Sequence, residues 1–186
     1  MFSLIDNIKQ IMLLLIPGIV CFFISSGAYA EEQSTEQFIN QWLQNSCEIG
    51  DEGIKTAKVL SIYGMTGEKF LLNAFESGPD EKQLVEFRQS REKNWMKRQA
   101  LVDSEKIKAL SKNDAEIVKN TSRDEYIKRQ IDLYKKRYQD RALQGLAIVG
   151  TIKSQKILEN YIKNDKALLK EQAIKTLNII KKRNKL

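Results

Sequence analysis

Between residues 138 and 150 the apolar positions Tyr138, Ala142, Leu143, Leu146 and Val149 fall at intervals of one, three and four. That is the stripe of a helix with one buried face. Gly150 ends the stripe, as a glycine does at a helix C-terminus. A second, shorter stripe follows through Ile152, Ile157, Leu158, Tyr161 and Ile162, and Asn164-Asp165 then supplies a polar turn and an N-cap candidate for the next helix. The first stripe returns at a constant offset of 31, which carries Ala142 onto Ala173. Apolar pairs with apolar at Tyr138/Leu169, Leu143/Ile174, Leu146/Leu177, Ile148/Ile179 and Val149/Ile180, and acid with acid at Asp140/Glu171. Such a unit of helix, short turn, helix cannot bury its apolar face alone. Its recurrence predicts a helical solenoid. An upstream copy aligns Leu60, Ile62, Gly64, Leu71, Leu72 and Phe75 with Leu146, Ile148, Gly150, Ile157, Leu158 and Tyr161, at an offset of 86.

The remaining stripes place the other helices. Ser34-x-x-Gln37 reads as a capping box before Phe38, Ile39, Trp42 and Leu43. The turn at residues 50–53 opens a helix with Ile54, Ala57 and Leu60 that Gly64 stops, and Thr66-Gly67 caps the next, carrying Phe70, Leu71, Ala74 and Phe75. The strongest break is Ser77-Gly78-Pro79-Asp80, with glycine ending one helix and proline beginning another. Residues 81–101 are charged, with a narrow stripe of Leu84, Phe87 and Trp95. Asp103-Ser104 is expected to start a helix through Ile107 and Leu110 that Lys112-Asn113-Asp114 interrupts. Ser122-x-x-Glu125, a second capping box, opens a long helix through Tyr126, Ile127, Ile131, Tyr134 and Tyr138 into the repeat. No segment alternates at period two, and the chain has 2 prolines. The expected fold is all-α, with about seven to nine helices as counted from caps and stripes.

The pattern Ala142-Leu143-x-x-Leu146-Ala147-x-x-Gly150 followed by Ile157-Leu158-x-x-Tyr161 resembles the HEAT-like repeat family in its short bacterial form, the type described in phycobilisome lyases. The resemblance spans residues 136–182 and, more weakly, 54–76. It departs from the family pattern in lacking the proline near the start of the second helix and in pairing Ala147 with Asn178. The resemblance implies helical hairpins stacked as a short solenoid that serves as a protein-binding scaffold. It implies no lyase activity, since no catalytic motif carries over.

The first thirty residues change the picture of location. Lys9 and Asp6 are their only charges, residues 11–24 are uncharged, and Ala28-x-Ala30 offers small residues to a signal peptidase. This is the pattern of a secretory signal peptide cleaved between Ala30 and Glu31, leaving residues 31–186 as one domain with sub-units 34–77, 79–120 and 122–186. The expected location is periplasmic or secreted. The alternative is an uncleaved membrane anchor, for which the apolar run is short against the roughly 20 residues a span needs. Lipidation at Cys21 is disfavoured because Val20, not a small residue, precedes it. Cys47 then remains as a lone thiol, either a small partly buried residue or half of an intermolecular disulfide.

Charge narrows the partners. The chain carries 31 Lys and Arg against 24 Asp and Glu, net +7, and losing Lys9 with Asp6 leaves that net unchanged. Bases and acids are interleaved, which suits an acidic partner or an anionic surface more than nucleic acid. The 0 histidines exclude Ser-His and Cys-His dyads and most zinc-hydrolase sites. No phosphate-binding glycine loop occurs, and Asp51-Glu52 and Asp80-Glu81, the carboxylate pairs that could be nominated, sit at helix starts where acids suit the dipole. No catalytic residue, cofactor or metal ligand is therefore expected.

Three functions follow in descending order. The first is a non-enzymatic exported interaction scaffold whose protein or peptide partner is met by Arg91, Trp95, Lys97, Lys156, Asn160 and Lys163. The second is a peripheral binder of phospholipid or lipopolysaccharide through the basic tail at residues 181–185. The third is a carboxylate-dependent hydrolase of envelope polymer. The bland reading of Arg91, Trp95 and Lys97 is a solvated helix with one stripe on the core.

Overall fold

Every regular element is a helix in the computed structural model, which describes residues 35–44, 59–104 and 110–185. In chain order these are α1 (35–44), the described part of α2 (59–62), α3 (Gly64–Ser77), α4 (Glu81–Asp103), α5 (Lys112–Asn120), α6 (Arg123–Val149), α7 (Ile152–Tyr161) and α8 (Lys170–Arg183). The expected signal peptide and cleavage point, Ser34, Cys47, the turn at 50–53 and Ile107 lie outside the described residues. No helix among the described residues is long and apolar enough to cross a membrane.

The α6 helix has 27 residues and so runs about 40 Å. Its apolar stripe serves two cores. The larger gathers Ile39, Trp42 and Leu43 of α1, Leu60, Leu71, Leu72 and Phe75 from α2 and α3, Tyr138 through Val149 of α6, Leu158 of α7, and Leu169, Ala173, Leu177 and Ile180 around α8. The smaller packs Trp95 of α4 and Val118 of α5 against Tyr126, Ile127 and Ile131 of α6. One continuous helix therefore ties together what the caps and turns divide.

The caps explain the boundaries. Asp80 forms a full capping box with Gln83, so α4 starts at Glu81, two residues beyond Pro79. Ser122 accepts from Glu125 N–H and starts α6. Asp103-Ser104, expected to start a helix, instead ends α4, with Ser104 as its C-cap, and Lys112-Asn113-Asp114 opens α5 because Ser111 caps it through Asp114 N–H. The start of α3 lies at Gly64, ahead of Thr66-Gly67. At α8 the Asn164-Asp165 turn does not cap. Leu169 holds that position, and its N–H donates to the Tyr161 hydroxyl at 3.2 Å.

The 31-residue offset holds where both copies face the core. Tyr138 and Leu169, Ala142 and Ala173, Leu146 and Leu177, and Val149 and Ile180 are all buried. It fails at Leu143/Ile174 and Ile148/Ile179, where Ile174 and Ile179 are exposed. The reason is positional: α8 lies against this side of α6, with Thr176 Oγ1 donating to the Leu143 carbonyl, and no described helix lies beyond α8 to do the same for it. In the upstream copy Leu60, Leu71, Leu72 and Phe75 are buried while Ile62 is 80% exposed. Phe75 and its aligned partner Tyr161 meet edge to face at 4.7 Å.

Two glycines permit the closest approaches. A Cβ at Gly145 would lie 2.8 Å from both methyls of Leu71 and 3.3 Å from Leu60 Cδ2, so α6 crosses α3 nearer than any side chain allows. At Gly150 a Cβ would stand 2.5 Å from the Leu146 carbonyl oxygen and 2.8 Å from Ile180 Cδ1. Its φ of −59° is open to any residue, so space rather than a left-handed backbone calls for glycine there.

The chain turns at Gly150 inside the core, where α6 leaves carbonyls and α7 leaves N–H groups without helical partners. Two charged side chains from other helices meet them. Glu68 of α3, 3% exposed, accepts from Thr151 N–H at 2.7 Å, from the Thr151 hydroxyl at 2.9 Å, and from the N–H and hydroxyl of Ser154. Arg183 of α8 donates to the carbonyls of Ala147, Ile148 and Gly150. The acid sits on the positive end of α7 and the base on the negative end of α6, as the helix dipoles favour. Burial alone would raise the Glu68 pKa. The hydrogen bonds from Ser154 and Thr151 outweigh it and hold the carboxyl below the ordinary 4.5.

Leu146→Ala, at a site with 0% exposure, should cost about 2–5 kcal/mol in urea unfolding. A change within roughly half a kcal/mol would place the core elsewhere. Gly145→Ala should destabilise by about 1–3 kcal/mol, because the Leu71 methyls must move within a filled core. Glu68 has a depressed folded-state pKa, so its contribution is complete above the ordinary 4.5 and fades as pH falls through the folded value. Denaturant titrations of the wild type and Glu68→Gln should therefore differ most at neutral pH and converge in acid. Parallel curves would show that the charge is not what holds the corner.

Candidate functional site

A concavity with a mixed polar and aromatic lining lies between α1, α4 and α6. Its volume is about 490 Å³, within the range of small-ligand and side-chain pockets. On α6, Tyr134, Arg137, Tyr138 and Arg141 stand at spacings of three and four and so share one face. On α4, Gln83, Phe87 and Arg91 repeat every four residues and face them. Leu43 and Gln44 of α1 close the third side.

Aromatic stacking builds the walls. Phe87 lies on Tyr134 with centroids 4.2 Å apart and planes 7° from parallel, and Tyr134 meets Tyr138 at 6.1 Å. Each flanking guanidinium is laid over a ring, Arg91 over Phe87 at 4.6 Å and Arg141 over Trp42 at 4.5 Å. Trp42 in turn donates its indole N–H to the Arg141 carbonyl at 3.3 Å, which fixes α1 to α6. These contacts hold the cationic side chains in place while leaving their charge unpaired. Among the described residues Arg91, Arg137 and Arg141 form no ion pair. The Nε atoms of Arg91 and Arg141 are buried without an acceptor. Arg137 Nε donates to the Leu133 carbonyl at 3.3 Å, and Arg141 reaches Gln144 at 3.4 Å.

Two tyrosine hydroxyls sit at the base. Burial, then the proximity of Tyr138, Asp80 and Glu86, pushes the Tyr134 pKa up to about 12. Burial also raises Tyr138, offset in part by a hydrogen bond from Gln83. Both therefore stay neutral donors across physiological pH. The cleft also carries Glu86, exposed, and Asp140, which accepts from Gln144 at 3.0 Å. Among the described residues no group of three or more Cys, Asp or Glu could hold a metal ion.

The six residues expected to meet a partner are divided by the structure. Arg91 lines the cleft. Trp95 is 6% exposed and tilted against Tyr126 at 5.1 Å, so it is core and presents no anchor to solvent. Lys97 is exposed on another face of α4. Lys156, Asn160 and Lys163 are exposed at α7 and just beyond it, where Lys163 Nζ donates to Asn160 Oδ1 at 3.0 Å. Asn160 borders a separate depression of about 450 Å³ with Phe75, Gln139 and Tyr161. Gln139 is two residues from both Arg137 and Arg141, hence on the opposite side of α6 from the cleft. Sequence reasoning passed over Phe87, Arg137 and Arg141 as ligands and placed Tyr134 and Tyr138 in a core stripe. The signal available was the Tyr134-x-x-Arg137-Tyr138-x-x-Arg141 face, since a purely structural stripe has no use for two arginines in register with its rings. No family model, curated protein or solved structure matches the chain.

The raised pKa carries its own test. Tyr134 keeps its proton in the fold to about 12, whereas an unfolded tyrosine loses it near the usual 10.0. Stability should be unaffected by this group below the unfolded value and fall as pH rises towards the folded one. Tyr134→Phe should flatten that alkaline limb in denaturant titrations. An unchanged limb would put the hydroxyl in water.

Proposed function

We propose that the protein is a non-enzymatic exported interaction scaffold, built of helical hairpins stacked as a short HEAT-like solenoid, that grips a protein or peptide partner in the cleft between α1, α4 and α6. Its place of action is the periplasm or the exterior, after cleavage between Ala30 and Glu31. One observation carries the reading: guanidinium groups are laid over aromatic rings at 4.6 and 4.5 Å and left without ion-pair partners. Arginine and aromatic side chains dominate the energetics of protein interfaces because they combine large contact area with directed donors. The pairing of buried faces at the 31-residue offset supports stacked hairpins.

The other readings have less behind them. A hydrolase needs one carboxylic acid in an apolar setting and a second carboxylate across the substrate. Here Glu86 is exposed and Asp140 is engaged by Gln144. An anionic envelope surface would use the basic tail, yet Arg183 is turned inward on the end of α6 and Lys181 pairs with Glu159 at 2.7 Å.

Crosslinking in the native envelope, affinity purification and mass spectrometry test the reading. A protein should be recovered in near-stoichiometric amount with the wild type, lost with Arg91→Ala/Arg137→Ala, and retained with Lys156→Ala/Asn160→Ala/Lys163→Ala. Recovery of lipid or polysaccharide alone would overturn it. Loss only with the α7 substitutions would move the partner to the other side of α6.

A further inference from the structure

Resting on that reading, we propose that the occupant of the cleft is an acidic peptide segment, one that presents a carboxylate beside an aromatic or branched apolar side chain. The guanidiniums of Arg91 and Arg141 are held against Phe87 and Trp42, with Nε sealed and without an acceptor. Among the described residues the Arg91 side chain has no hydrogen-bond acceptor, and of its nitrogens only Nε is sealed from solvent. A carboxylate meeting those N–H groups would form charge-assisted hydrogen bonds with a donor that has already lost its rotamer freedom and one face of its hydration. The planar fork of an arginine suits a carboxylate better than the point charge of a lysine.

The rest of the lining selects a peptide. Phe87, Tyr134 and Leu43 give an apolar wall for one side chain, and about 490 Å³ admits a few residues rather than a folded surface. Glu86 and Asp140 stand in the same cleft. With Arg91, Arg137 and Arg141 they leave the cleft a small net positive charge, which suits a short acidic peptide more than a phosphate-rich membrane or a polyanion, and the backbone N–H groups of a peptide can donate to them. Tyr134, whose hydroxyl has no hydrogen-bond partner among the described residues, adds a neutral donor. The groove on another face of α6, with Lys128, Arg129 and Lys136 beside Glu125 and Asp132 around the exposed Leu133 and Leu168, is the place where a membrane surface would show instead.

The test is fluorescence anisotropy of the full chain with labelled short peptides in which a central phenylalanine is flanked by glutamates, glutamines or lysines, and sedimentation with phosphatidylglycerol vesicles. The glutamate peptide should bind at least about tenfold more tightly than the glutamine peptide, equivalent to roughly 1.4 kcal/mol. Arg91→Gln should remove that preference, Arg91→Lys should recover only part of it, and Lys97→Gln should leave it unchanged. Circular dichroism would show that each variant is folded. Equal affinity for the glutamate and glutamine peptides, lost on substituting Phe87 by leucine, would overturn the acidic preference and leave the scaffold standing. Binding of none of the peptides, with or without vesicle binding, would overturn both.

Discussion

The arrangement depends on a buried change of direction. The chain leaves α6 and enters α7 at the buried Gly150 and half-buried Thr151, against the main core, where water reaches the free ends of two helices only in part. A carboxylate from α3 and a guanidinium from α8 serve them instead. An unpaired charge at such depth is costly, and one that caps a helix end of opposite sign is not. Four helices are thereby committed to one geometry. With α3 and α8 fixed on either side of the α6 C-terminus, the bare backbone at Gly145 and Gly150 sets how near they come.

The cleft is a consequence along the middle of the same helix. Because α6 continues past the larger core to meet α4 and α5, it passes through a region where α1 covers it on one side and α4 on another. The Tyr134, Arg137, Tyr138 and Arg141 face lies between them. A rigid rod with a stacked aromatic pair and ring-held guanidiniums is a preorganised surface, and preorganisation is how a small interface obtains affinity without large area.

Much of this was legible in the chain. The Ala142/Ala173 and Leu146/Leu177 pairs mark the buried faces of α6 and α8, and Ser122 marks where the long helix begins. What stayed hidden has physical reasons. Whether Ile174 is buried like Leu143 depends on a helix lying beyond α8, which no local pattern encodes. Glu68 reads as an ordinary surface acid on α3, because its partners Thr151 and Ser154 come from far along the chain. Trp95 invites a docking role by its charged surroundings, yet those charges belong to the outer face of α4 and the indole to the inner one. Arg141 over Trp42 joins residues 99 positions apart in the chain, so neither alone suggests a cleft. The Ser111 cap shows the reverse case: a local signal was present and the apolar stripe upstream of it distracted from it.

Nuclear magnetic resonance of the arginine side chains most directly tests the central claim that the protein grips a ligand through ring-held, unpaired guanidiniums. The Nε–H signals of Arg91 and Arg141 should be resolved, protected from solvent exchange, and shifted on adding the glutamate-flanked peptide, while those of exposed arginines such as Arg88 stay in place. Rapidly exchanging signals for Arg91 and Arg141, or shifts confined to other arginines, would contradict the account.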